Sequence, residues 1–350
     1  MYNQHEVMDF VKEEDVKFIK LSFCDINGKQ KNISITNNEL SHAFKTGMAI
    51  DVSGIKGFAS VTKSKLILHP DPSTLSILPW RPEHGRVIRM FCDISYPNGN
   101  AFECDSRLIL KNAIKDAETK GFTFSFGAKI EFYLFKLDEN GNKSNIPYDK
   151  AGYMDIAPED KGENIRRDIC LTLEQMSVYP ESSHHEKGAG QNKINFKSRN
   201  PLTAADNITT IRQVVSTVAN RNGLCADYSP MPIENAPANN FHFNFAIEPK
   251  DDKELLHKAI AGVLHRIDNC TAVINNDLES IHAEFYIPNS LANPYTTFAL
   301  IIYAAMSGID NNEKLPEAID ANKYKSYVVE KAFAEKYLPT QIISAYSMGA

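Results

Sequence analysis

Two stretches of this 350-residue chain alternate in a way that separates chemically active side chains from inert ones. Within 241–245, Phe241, Phe243 and Phe245 point one way and His242 and Asn244 the other, because successive side chains of a strand face opposite sides. Within 281–287, Ile281, Ala283, Phe285 and Ile287 oppose His282, Glu284 and Tyr286 in the same manner. Upstream, Lys129 and Glu131 are two apart in the strand-like run Phe124 to Phe135 and therefore share a face. The sheet these runs build has one apolar face and one that carries an imidazole, carboxylates and an ammonium, the groups of a binding or reaction surface. A lone strand histidine such as His242 is more often a hydrogen-bonded structural residue than a ligand, so the grouping, not the histidine, marks the site. Gly188-Ala189-Gly190 adds no phosphate loop, because no strand-to-helix pattern of the P-loop or Rossmann type surrounds it.

The elements that must position these residues are legible in part. Ile19, Leu21 and Phe23 alternate, as do Ile33 and Ile35, and Asp25-Ile26-Asn27-Gly28 between them is a hairpin turn signal, so a small antiparallel β unit is expected in the first hundred residues. Pro97-Asn98-Gly99-Asn100 marks a break. Asp105 then suits the N-cap of a helix using Leu110, Ala113, Ile114 and Ala117 and stopped by Gly121. Helical spacing recurs in Ile165, Ile169, Thr172 and Met176, in Ile208, Ile211, Val215 and Val218 before Gly223, and in Ala259, Ile260 and Val263. Strands alternating with helices give an α+β reading, with no repeat or low-complexity tract. The length favours two domains, placed at 1–104 and 105–350.

Bulk properties exclude several classes. Hydrophobic content of 43% against 23% charged residues is that of an ordinary globule. A formal net charge of −6 argues against a broad contact with nucleic acid or anionic lipid, which needs a basic face. Six cysteines without a CxxC pair read as free thiols of a reducing cytoplasm. The N-terminus lacks the apolar core of a signal peptide, and the longest apolar run, Phe298 to Met306, is too short to span a bilayer, so no membrane association is expected.

Ser182-Ser183-His184-His185-Glu186-Lys187-Gly188-Ala189-Gly190-Gln191-Asn192 resembles the SHHEVAPGQ-like signature of glutamine synthetase. Asp51 to Phe58 is similar to that family's DGSSIxGF loop, Gly127 to Phe135 to its GPEPEFFLF strand, Tyr153 to Asp168 to YFDLAP…RRD, and Pro288 to Tyr295 to PDPxANPY. The matches keep the family's order from residue 15 to about 310. The resemblance implies a β-grasp domain at 1–104 and, at 105–350, a glutamine synthetase-like domain of curved antiparallel sheet with flanking helices. It also implies active sites between subunits of a ring, with Asp51 contributed to the neighbouring subunit's site.

The family reaction that the resemblance implies is ATP-dependent ligation of ammonia to glutamate, which accumulates negative charge and uses Mg²⁺ or Mn²⁺ held by carboxylates and an imidazole. Carried onto this chain, one metal cluster keeps Glu131 and Glu186 but has Lys193 in its third place. The other keeps His242 and Glu284 but has Lys129 in place of a glutamate. A protonated ammonium cannot ligate a metal and repels it, so these lysines are expected to act as internal cations in a metal-free site. Phe196 and Asn244 occupy positions resembling the family's nucleotide side, where a core phenylalanine and an ordinary strand asparagine are equally good readings. The family's NGSGMH loop is replaced by Pro237-Ala238-Asn239-Asn240-Phe241-His242. After Asn275-Asn276-Asp277 the chain reaches Ile281 almost directly, without the interval that holds the family's glutamate flap and several phosphate-facing arginines, and Tyr286 stands where a further arginine is usual.

The resulting expectation is a non-catalytic glutamine synthetase homologue without bound ATP or divalent metal, acting by binding or assembly. Its alternatives are an ATP-dependent γ-glutamyl ligase of altered specificity and a nucleotide-binding module. A homo-oligomer is expected, a single ring because the segment after Lys336 lacks the family's usual ending, or else a mixed assembly with a glutamine synthetase.

Overall fold

The computed structural model describes residues 2–62, 65–81, 84–248, 252–267, 270–276, 281–287, 290–319, 323–325 and 331–347. Asp277, the first two residues of the PDPxANPY-like stretch and the last three residues of the chain, which entered the sequence reading, lie outside them.

The chain forms two compact units. The first comprises Met1–Lys111, Gln175–Ser177 and Leu338–Gly349. The C-terminal segment therefore belongs with the N-terminal unit, where a boundary at 105 had assigned it to the second domain. Ile342 and Ile343 of the helix Thr340–Ser347 are buried, and Cys104 Sγ lies 4.0 Å from Gln341 Oε1. Burial of an apolar helix face, not sequence proximity, sets this membership.

In this unit the hairpin is present: Val16–Cys24 pairs antiparallel with Gln30–Thr36, and Asp25 Oδ1 accepts from the Asn27 and Lys29 amides at 3.0 Å each. Gly28 has φ 77, the left-handed conformation that an Asn-Gly tip supplies without a Cβ penalty. The sheet is not wholly antiparallel, however. Val16–Cys24 also pairs in parallel with Arg86–Ser95, because the chain between them makes a crossover long enough to return in the same direction. The helix Gln4–Glu13 precedes the sheet; its Asn3/Glu6 capping box and buried Val7 and Val11 are sequence signals that strand alternation alone does not reveal. The helix Ser106–Thr119 begins after Asp105, whose Oδ1 accepts from the Arg107 amide at 3.0 Å, and is followed by Gly121 at φ 82.

The second unit is built on a nine-stranded antiparallel sheet, with Thr123–Leu137 at its centre. Phe241–Glu248 flanks this strand on one side and Gln191–Phe196 on the other; Ile281–Ile287 follows Phe241–Glu248, and Pro180–His185 follows Gln191–Phe196. The apolar side is covered by the helix Pro294–Asp310, whose Phe298 ring stacks on Phe126 at 4.0 Å between centroids and also meets Phe241 and Phe243. Among the described residues no helix is long and apolar enough to cross a membrane.

Candidate functional site

Strand register assembles the polar side. Lys193 pairs with Glu131, Asn195 and His242 pair with Lys129 from opposite sides, and Glu284 pairs with Asn244. The period-two alternation that sends phenylalanines into the core leaves Lys129, Glu131, Lys193, His242, Asn244 and Glu284 on the other face. Glu186 arrives from the turn after Pro180–His185, which is closed by Glu186 N donating to Gln191 O at 2.8 Å.

The two lysines stand among the carboxylates. Lys193 Nζ lies 3.1 Å from Glu131 Oε1 and 3.4 Å from Glu186 Oε1, and Lys129 Nζ lies 2.7 Å from Glu284 Oε1. The His242 ring sits between the clusters, Nε2 being 3.3 Å from Glu131 Oε1 and Nδ1 3.7 Å from Glu284 Oε1, with neither nitrogen in a well-formed hydrogen bond. Tyr286 packs edge-on against the same ring at 4.3 Å between centroids.

Burial alone would raise the carboxyl pKa values, but the neighbouring donors outweigh it. Glu131 is held at about 2 by His242, Lys193 and the Asn240 amide, and Glu284 at about 2 by His242, Lys129 and Tyr286. For Lys193, burial favours the neutral amine, yet the Glu131 and Glu186 charges hold its pKa above the ordinary value. The lysine is therefore an ammonium whose hydrogen bonds and charge serve two carboxylates at once.

This donor set does not fit the divalent ions of the family's chemistry. An Mg²⁺ or Mn²⁺ ion needs a shell of oxygen ligands with at most some imidazole nitrogen, and here each carboxylate cluster already holds a cationic nitrogen at contact distance. Asp149, Asp160 and His185 form a second group of ligand-type side chains, their ligating atoms within 4.8 Å of one another, but it is committed internally. His185 Nε2 faces Asp149 Oδ1 at 2.9 Å and Nδ1 faces Glu186 O at 2.7 Å, while Arg166 forks onto Asp160. Burial would lower the His185 pKa, but these two oxygens raise it, and the ring they hold braces the backbone that presents Glu186. Sequence reasoning missed this brace, since Asp149 and His185 meet only in three dimensions.

Other expected residues are distributed differently. Asn244 lies on the polar side, and its Oδ1 is buried with no hydrogen-bond partner among the described residues. Phe196 is 5% exposed and ends the strand Gln191–Phe196, whose pairing with Pro180–His185 shifts register between Asn195 and Phe196. Asp51 belongs to the first unit and is exposed, with Oδ1 accepting from the Ser53 amide at 2.8 Å.

The loop that replaces NGSGMH is tied into the site by residues the sequence did not single out. Tyr133 donates its hydroxyl to Pro237 O at 2.6 Å, Gln191 Nε2 reaches Ala238 O and Asn239 Oδ1 at 3.2 Å each, and the Asn240 amide donates to Glu131 Oε2 at 2.9 Å.

Residues 15–97 match the family model described as "Glutamine synthetase, beta-Grasp domain". Residues 103–281 and 268–348 match "Glutamine synthetase, catalytic domain", a match broken in the region where the sequence lacks the family's interval. A glutamine synthetase of Clostridium saccharobutylicum is 37% identical over 367 residues, covering 92% of this chain and 83% of the relative. One from Staphylococcus aureus strain Mu50 is 35% identical over 392 residues, covering 98% and 88%. In three dimensions the chain resembles ligand-free GmaS with a TM-score of 0.80 at 19% identity, covering 97% of this chain and 91% of that one. It resembles Plasmodium falciparum glutamine synthetase with a TM-score of 0.79 at 21% identity, covering 93% and 79%.

Proposed function

Because the chain belongs to the glutamine synthetase family, we propose that it is a member in which the ligase site has become a metal-free structural element, leaving the protein to act by binding or assembly. The observation that carries this reading is the Lys193 ammonium between Glu131 and Glu186, repeated by Lys129 at Glu284. Phosphoryl transfer needs cations that neutralise developing charge on phosphate oxygens. Here the two lysines spend their charge on the protein's own carboxylates, and the segment with the family's phosphate-facing arginines has no counterpart in the sequence. Removing one transition-state-stabilising donor costs about 10²–10³ in rate, so the combined losses leave no useful turnover.

The same reading gives a protein without bound ATP or divalent metal, located in the cytoplasm and assembled as a homo-oligomer or with a glutamine synthetase partner. The test is a steady-state assay of the purified protein with glutamate, ammonia, ATP and Mg²⁺ or Mn²⁺. Turnover in the ordinary range of about 1–10³ s⁻¹ overturns the proposal; none is expected.

A further inference from the structure

Glu131 is gripped through both of its oxygens by different parts of the chain. Oε1 faces the Lys193 ammonium at 3.1 Å, and Oε2 accepts the Asn240 backbone amide at 2.9 Å. Residues 237–240 are in turn fastened to side chains of the sheet at successive positions, by Tyr133 at Pro237 O and by Gln191 at Ala238 O. Their outer edge is closed by Asn239, which is fully buried: its amide nitrogen donates to Asp227 O at 3.2 Å and Ser229 O at 3.0 Å, its oxygen accepts from Gln191, and its backbone N–H donates to Pro230 O at 2.8 Å.

We propose that residues 237–240 are a built-in occupant of the carboxylate site, a backbone strap latched by Glu131 and Tyr133 that fills the donor and acceptor positions an external ligand would need. The proposal rests on the reading of Glu131 as a structural group and extends it to the loop. The chemistry is specific about why this segment can do so. A backbone N–H aimed at an ionised carboxylate makes a charge-assisted bond, about twice as strong as a neutral one, and the fully paired Asn239 fixes the loop so that the amide stays aimed. Gly188 is part of the latch by omission: a Cβ there would lie 2.1 Å from the Tyr133 hydroxyl oxygen, so the absence of a side chain lets the tyrosine reach Pro237 O. A ligand gripping both oxygens of Glu131 competes with the Lys193 ammonium on Oε1 and the Asn240 amide on Oε2, and an acceptor arriving at Tyr133 competes with Pro237 O for the hydroxyl proton. The strap therefore acts as an autoinhibitory contact at the Glu131 end of the polar face.

Hydrogen exchange read by mass spectrometry on the full-length protein tests this. In Glu131→Gln the side chain keeps a single oxygen acceptor, for which the Lys193 ammonium and the Asn240 amide must compete. The peptide spanning 237–241 should then exchange at least about tenfold faster, while peptides of the helix Pro294–Asp310 keep their wild-type rates, as expected for a local opening. Tyr133→Phe leaves Glu131 intact, removes only the hydroxyl at Pro237 O, and should speed the same peptide alone. Unchanged exchange at 237–241 in both variants overturns the latch. If Glu131→Gln loosens the whole unit, Tyr133→Phe decides. Turnover by the wild-type protein would end the reading on which the latch rests without altering the exchange result, so the two failures are distinguishable.

Discussion

Lys129 Nζ stands 2.7 Å from Glu284 Oε1, with both side chains largely shielded from solvent. On the neighbouring strand pair Lys193 repeats the contact with Glu131 at 3.1 Å. Each contact places a positive charge where a carboxylate group would otherwise need a proton or a metal.

Replacing Lys129 and Lys193 together by glutamate should destabilise the metal-free protein, because breaking such buried pairs costs about 3–5 kcal/mol when one partner is lost, and partial exposure reduces this. The same double variant should gain affinity for Mn²⁺ measurable by titration calorimetry, without gaining ligase activity. The unmodified protein should have the same thermal midpoint with and without a chelator. Binding of two Mn²⁺ per subunit at low micromolar concentration by the wild type would disprove the internal-cation reading.

Glu313 supplies a pH dependence in a different part of the second unit. Burial would raise its pKa, but the Arg266 fork at 2.6 and 2.9 Å and His265 at 2.8 Å hold it at about 2. A carboxyl depressed from about 4.5 contributes stability that is fully present above the unfolded value and lost as pH falls through about 2, an amount that solvent screening of this partly exposed group reduces. Thermal midpoints of Glu313→Gln and wild type should therefore differ most above pH of about 4.5 and converge towards pH of about 2. A constant difference across that window would show that the fork adds no linked stability.

Gly262 and Gly308 let the helices Lys253–Arg266 and Pro294–Asp310 touch through their backbones. A Cβ on Gly262 would lie 2.2 Å from Ala304 O and 2.7 Å from Gly308 Cα, neither of which can move without shifting its helix. Gly262→Ala should cost about 1–3 kcal/mol by overpacking, although alanine is the better helix former. Denaturant unfolding that shows equal or greater stability would mean the helices separate at little cost.

Homo-oligomerisation is expected from the second unit's surface, where Tyr153 is 52% exposed, Met154 57% and Ile156 75%, three exposed large apolar side chains interrupted by Asp155, with the Met154 amide pinned to His185 O. Light scattering at micromolar concentration should give a mass several times 39.2 kDa. A monomer would remove the assembly arm of the proposed function.

The sequence by itself determined which faces would be apolar, because strand alternation in 241–245 and 281–287 and helical spacing from Ile208 to Val218 are local properties. It also determined family membership, since this is a statement about residue order and type. Only the tertiary structure decided the rest. Register brought Lys193 opposite Glu131 and His242 opposite Lys129, and a one-residue slip would have turned these side chains to the other face. The parallel pairing of Val16–Cys24 with Arg86–Ser95 depends on a long crossover, and the C-terminal helix joined the first unit through buried isoleucines. The His185–Asp149 brace and the strap at 237–240 join residues far apart in the chain. Their hydrogen bonds depend on distance and angle between elements, which periodicity along the chain does not encode.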